Sequence, residues 1–188
     1  METTTPPPPP VAARDRILQA AHDLFYRDGI RATGVDRIIA ESGVAKLTFY
    51  RHYPSKDDLV RAFLDHRHAR WMAWFVDALG RHGAHNGRGL QALVGALQEW
   101  FTDPAFRGCA FINSVVEVGA SVEGAQDIAR RHKEEMDQVI AELLPAGPGR
   151  QERARTVGLV VDGAVVRAQM GDVAAALAAL GAVVHRVG

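Results

Sequence analysis

The chain has a single cysteine, Cys109, so no disulfide can form within it. No apolar run approaches the roughly 18 residues that crossing a bilayer takes. No signal peptide is expected either, since Met1-Glu2-Thr3 leads into Pro6 to Pro10 with no basic start and no apolar stretch. These absences argue against a disulfide-stapled secreted domain and against a membrane partner. A cytoplasmic protein is expected. Charge of one sign is also missing, since 22 Lys and Arg stand against 22 Asp and Glu. A neutral chain does not grip DNA of any sequence tightly. There is no nucleophile–base–acid spacing, no phosphate loop and no metal-ligand set. His66/His68 and His82/His85 lack a companion cluster of acids or cysteines. We therefore expect no enzyme, no cofactor and no metal.

What is present is a helical pattern. Hydrophobic residues make up 47% of the 188, enough to bury a core. They recur every three or four positions between turn signals, and no stretch alternates as a strand does. The spacing predicts helices over about 12–28, 35–42, 45–53, 55–79, 90–102, 106–119, 123–144, 150–170 and 172–186. Gly29, Gly43 and Gly171 read as stops, and so does Pro54. Ser55 and Asp58 have the spacing of a capping box. Gly80, Gly83, Gly87 and Gly89 mark a loop. Residues 1–10 read as a disordered Pro-rich tail. The fold class is all-α, with nine helices.

The second and third of these helices are short, separated by a glycine turn and preceded by a longer one. That is the pattern of a helix-turn-helix, whose second helix lies in the DNA major groove. Leu24, Ile38, Val44 and Phe49 are its natural core. Lys46, Leu47, Thr48, Tyr50, Arg51 and His52 are left on or near the outward side. From Val44 to Lys56 the charges are Lys46, Arg51 and Lys56, with no acid. Lys and Arg suit phosphate or guanine, and hydroxyls suit phosphate oxygens. An ordinary helical turn with a solvated basic face would look the same.

Three runs carry a resemblance: Arg16-Ile17-Leu18-x-Ala20-Ala21-x-x-Leu24-Phe25-x-x-x-Gly29; Thr33-x-Val35-x-x-Ile38 with Ser42-Gly43-Val44; and Thr48-Phe49-Tyr50-x-His52-Tyr53-x-Ser55-Lys56-x-x-Leu59. Over about residues 14–60 the chain resembles the tetracycline-type (TetR/AcrR) repressors. The resemblance implies a homodimer of nine-helix subunits. Residues 11–54 would form a DNA-binding head, and 55–188 a ligand-binding and dimerisation domain. By position, Tyr50 and Lys56 would contact phosphates, helped by Thr48, His52 and Thr33. Lys46, Leu47 and Arg51 would face base edges of double-stranded operator DNA. Family members commonly have glycine at position 47. Leu47 would press on a thymine methyl, or else fill a gap in the head. Ala45 stands where a serine cap is common, and no Lys or Arg precedes Arg14.

Aromatics crowd the regions that would line an effector pocket: Trp71, Trp74, Phe75, Trp100 and Phe111. Asn113, Glu117, His132, Asp162 and Gln169 are candidates to orient a largely apolar small molecule. Each of these residues can equally be core or structural. From Val157 to Ala168 the chain is apolar nearly all round, and residues 173–184 are rich in alanine. Two such helices per subunit suit a two-fold, four-helix interface, with Val157, Val161, Val165, Ala168, Leu177 and Leu180 as candidates. The expected function is a ligand-responsive repressor, released when a ligand favours a conformation with wrongly spaced DNA heads. The fourth helix is the expected lever. Two alternatives are a helical interaction module and a thiol-based redox regulator using Cys109, with Arg107 nearby.

Overall fold

The structure is a computed structural model and describes residues 12–85 and 89–188. The Pro-rich stretch 1–10 lies outside the described residues, as do residues 86–88 of the glycine-marked loop. Among the described residues there are nine α-helices and no strand, as the periodicity predicts. They are α1 (Ala13–Asp28), α2 (Val35–Ser42), α3 (Lys46–His52), α4 (Lys56–Arg81), α5 (Ala92–Phe101), α6 (Ala110–Val118), α7 (Ala125–Glu142), α8 (Arg150–Gln169) and α9 (Val173–Val187). A single 3-10 turn, Gly89–Gln91, precedes α5. No described helix is long and apolar enough to cross a membrane.

The chain divides into two compact units at Phe63/Leu64, so the first turns of α4 belong with α1–α3. In the first unit, Ile17, Ala20, Ala21, Leu24 and Phe25 make the buried face of α1. Ile38 of α2, Phe49 of α3 and Leu59 of α4 are fully enclosed. Phe63 closes the cluster edge-on to Phe25, ring centroids 5.4 Å apart. Each such apolar side chain contributes roughly 1.5–3 kcal/mol on burial. The turn from α2 to α3 depends on Gly43, whose φ of +62° an L side chain rarely adopts. At the start of α4 the capping box is complete. The Ser55 amide donates to Asp58 Oδ2 (3.1 Å) and the Asp58 amide to Ser55 Oγ (3.1 Å). The Ser55 hydrogen bonds, then Arg61, hold the Asp58 carboxyl below the usual carboxylate range, against the opposing effect of burial.

In the second unit, Leu64, Phe75, Leu93, Leu97, Phe111, Met136 and Ile140 form the apolar interior. Here α8 packs against both α7 and α9. Val157, Val161, Val165 and Leu180 are at most 2% exposed and Ala168 5%, all covered by their own unit. Leu177 is half-buried. The expected interface residues are therefore corrected: most belong to the subunit core. The pattern of α8, apolar nearly all round, could not show which face points outward. Leu159 and Met170 do, at 73% and 76% exposure. Alongside them runs a groove of about 410 Å³ whose lining includes Val160, Gly163, Arg167, Ala175 and Ala179. Tyrosine and tryptophan divide cleanly, although phenylalanine occurs in both units. Tyr26, Tyr50 and Tyr53 lie in the first unit and Trp71, Trp74 and Trp100 in the second.

Candidate nucleic-acid interface and ligand cavities

Phe49 anchors α3 by its full burial, which sets the face that α3 presents outward. Leu47 is 74% exposed and Tyr50 42%, so Leu47 does not fill a gap in the head. Lys46 and Arg51 are exposed, and Thr48 and His52 are half-buried. No side chain caps α3 at Ala45, which forgoes about 1 kcal/mol. Six candidate residues thus occupy one seven-residue helix. Such a surface can offer cations and hydroxyls to phosphates and an apolar tip to a base edge.

Two other candidates are tied into the head itself. Thr33 is fully buried and its hydroxyl donates to the Gly29 carbonyl at 2.7 Å. This corrects its expected role as a helper at the DNA surface: its side chain braces the α1–α2 turn. The Lys56 ammonium donates to the Ile30 carbonyl at 2.6 Å and lies 5.9 Å from the centre of the Phe25 ring. Sequence reasoning also missed an acid. Residues 44–56 contain none, but the fold brings Asp36 of α2 within 3.4 Å of Lys46. Both ends of that pair are well exposed, so it is a weak surface contact.

The second unit holds a small inner cavity. Of the expected pocket residues, Trp71, Trp100, Phe111, His132 and Asp162 line it, together with Cys109 and Lys133. His132 is 1% exposed and stacks on Phe111, centroids 3.7 Å apart. Burial, helped by Lys133, His68 and Arg67, pushes its pKa down to about 2, so the ring is neutral. Its Nδ1 lies 3.1 Å from His68 Nδ1, and His68 Nε2 meets Glu135 at 3.1 Å. Burial disfavours the Lys133 charge, but the Cys109 sulfur and the Asp162 carboxylate outweigh that and raise its pKa. The Lys133–Asp162 contact is 2.5 Å. Cys109 is 4% exposed.

The remaining expected residues are placed differently. Phe75 is fully buried and stacks on Trp71. Asn113 donates to the Arg107 carbonyl at 3.1 Å, across the start of α6. Gln169 is exposed and presses on Gly108, where any Cβ would come within 2.2 Å of its amide oxygen. Glu117 is half-buried on α6 and is not part of the inner cavity's lining. Phe75 and Asn113 are therefore corrected to core and helix-start roles. Among the described residues no group of three or more His, Cys, Asp or Glu could hold a metal ion.

Comparison with known proteins places these features. The family model described as bacterial regulatory proteins, tetR family, matches residues 17–63, spanning α1 to the first turns of α4. The structure of SCO4454, a TetR-family transcriptional regulator from Streptomyces coelicolor, superposes with a TM-score of 0.80 at 31% identity, covering 93% of this chain and 95% of that one. This chain belongs to the TetR family. The HTH-type transcriptional repressor Rv3405c of Mycobacterium tuberculosis is 40% identical over 100 residues, covering 47% of this chain. The match spans only about half of that relative's own length, 53%. CifR, a TetR family transcriptional regulator whose cysteine mutant was solved with 26 bp double-strand operator DNA, shares the fold at a TM-score of 0.72 and 21% identity, with 96% of this chain and 97% of that one covered. In TetR-family terms, α2 and α3 are the helix-turn-helix and α3 is its recognition helix.

Proposed function

We propose that this TetR-family chain is a ligand-responsive transcriptional regulator, a repressor, acting in the cytoplasm. It binds palindromic operator DNA as a homodimer and lets go when a small molecule occupies the second unit. One observation carries the reading. The recognition helix is anchored by Phe49, with Leu47 and Tyr50 well exposed and Lys46 and Arg51 beside them. The naming of Rv3405c as a repressor supports the sign of regulation. The operator complex named for CifR supports the partner. Phosphate contacts fall to Tyr50, Lys56, Thr48 and His52, and base-edge contacts to Lys46, Leu47 and Arg51.

Dimerisation uses the outward groove of α8 and α9, with its small residues Gly163, Ala175 and Ala179. Two such faces meeting about a two-fold axis give a four-helix interface. A ligand acts by binding one conformation of the protein better than another, and only that differential affinity shifts the operator equilibrium. The test is to sequence the genomic DNA the protein retains, then measure affinity against salt for the recovered site and a scrambled duplex. A palindromic site with a steep salt slope is expected. Equal affinity for both duplexes would overturn operator recognition.

A further inference from the structure

Several cations of the head are matched by acids. Arg27 and Arg37 both meet Asp28, Lys46 meets Asp36, and Arg61 meets Asp58. Arg14 is placed differently. It lies in the first turn of α1 and is exposed. Among the described residues it makes no ion pair, and its guanidinium carbon sits 5.8 Å from the centre of the Tyr53 ring. That is cation–π range. Burial pushes the pKa of the Tyr53 phenol up, so no phenolate neutralises Arg14. Asp15 and Arg16, its exposed neighbours, carry opposite charges, which leaves this turn positive. Tyr53 itself is firmly held. It is 3% exposed, packs 6.4 Å from the Phe49 ring and directly follows α3, where its amide donates to the Phe49 carbonyl at 2.9 Å. The Tyr53 hydroxyl has no hydrogen-bond partner, so what Tyr53 offers Arg14 is its ring. Arg14 is thus held beside the C-terminal end of the recognition helix. A helix of seven residues is about 10 Å long, and the major groove is about 12 Å wide. The phosphates that border the groove therefore run close to the ends of α3.

We propose that Arg14 binds a backbone phosphate at the edge of the groove, and that the Tyr53 ring positions it there. A guanidinium fork matches two phosphate oxygens in shape as well as charge. An arginine already paired with an acid would have to give up that pair to reach DNA, whereas Arg14 only has to lean away from a neutral ring. The contact carries no sequence information. It adds affinity and fixes the angle at which the head sits on the duplex. The proposal rests on the operator reading above and adds to it a contact from the first helix.

The experiment is affinity against salt for the full chain on its recovered operator and on a scrambled duplex. Arg14→Gln removes one phosphate contact per subunit. For a dimer it should flatten the slope of log affinity against log salt by about 1.8, and weaken binding about tenfold or more. The ratio of operator to scrambled affinity should not change. Tyr53→Phe keeps the ring and should keep the wild-type slope and melting temperature, since the lost hydroxyl has no partner. Tyr53→Leu removes the ring and should flatten the slope as Arg14→Gln does. A Tyr53 that only fills the core would lower the melting temperature in Tyr53→Leu and leave the slope alone, which would overturn the positioning role. Neutral methylphosphonates, placed at one backbone position at a time, decide the matter with Tyr53 intact. At one position per half-site the substitution should cost the wild type about what Arg14→Gln costs, and cost that variant nothing. An unchanged slope in Arg14→Gln, or no position that separates the two proteins, overturns the proposal. A wild type that binds both duplexes equally refutes operator recognition itself; a wild type that prefers its operator beside an Arg14→Gln variant with the same slope refutes this contact alone.

Discussion

Replacing Leu47 by alanine isolates one apolar contact with DNA. Leu47 sits in the first turn of α3, is 74% exposed, and has no hydrogen-bonding group. In the major groove only thymine offers a methyl group to meet it. Alanine keeps the helix propensity, whereas glycine would add a helix penalty of about 1 kcal/mol and blur the result. Burial of one methyl-sized group is worth about 0.8 kcal/mol, roughly fourfold in affinity per half-site. On a palindrome held by two subunits this doubles to about 1.6 kcal/mol, roughly fifteenfold. The assay is fluorescence anisotropy on four combinations, wild type or Leu47→Ala with thymine or uracil at each operator position. At one position per half-site, uracil should weaken the wild type by the same factor as the mutation does. Uracil should cost Leu47→Ala nothing at that position. Stability should barely change, because little of the side chain is buried. Uracil tolerated at every position would refute methyl reading, and so would a mutant that binds both duplexes as tightly as the wild type.

Three further outcomes follow from named contacts. Thr33→Val leaves the Gly29 carbonyl without its hydroxyl donor. It should cost about 1 kcal/mol of stability in urea unfolding while leaving the salt slope of DNA binding unchanged, and a flatter slope would restore Thr33 to the phosphate contacts. Val161→Arg should lower the melting temperature, because Val161 is 1% exposed inside its own unit. Ala179→Arg, in the outward groove, should instead give folded monomers in sedimentation; a dimer untouched by it moves the interface elsewhere. Asp58 has a folded pKa held below its unfolded value, so its stabilisation is fully present above the unfolded value of about 3.9 and is lost as pH falls through the folded one. Unfolding of Asp58→Asn and wild type should therefore differ at pH 7 and converge at the acid end. A gap that stays constant down to the lowest pH would show that the carboxylate charge plays no part.

Much of the fold is written locally. Gly43 stops α2 because the next conformation has positive φ, and the Ser55–Asp58 pair starts α4 through four adjacent residues. Such signals lie within a few positions and survive translation into one dimension. The start of α6 is less legible. The periodicity predicts a helix from about 106, but it begins at Ala110, where Asn113 bonds back to the Arg107 carbonyl. Direction is harder still. A threonine next to a recognition motif looks like a phosphate ligand until its hydroxyl is found turned inward. A helix apolar on every side gives no sign of which valines its own subunit already covers. The Asp36–Lys46 approach and the Arg14–Tyr53 contact come from residues that meet only in three dimensions.

The segregation of tyrosine and tryptophan divides the chain optically as well as structurally. With red-edge excitation that tyrosine does not absorb, emission comes from Trp71, Trp74 and Trp100 alone, and all three belong to the second unit. A thermal melt followed that way is blind to the head. Two units with separate cores need not unfold together. A destabilised head such as Thr33→Val can then show an unaltered tryptophan melt while its helical dichroism falls early. The two signals, taken on one sample, measure the cooperativity between the units without any introduced label.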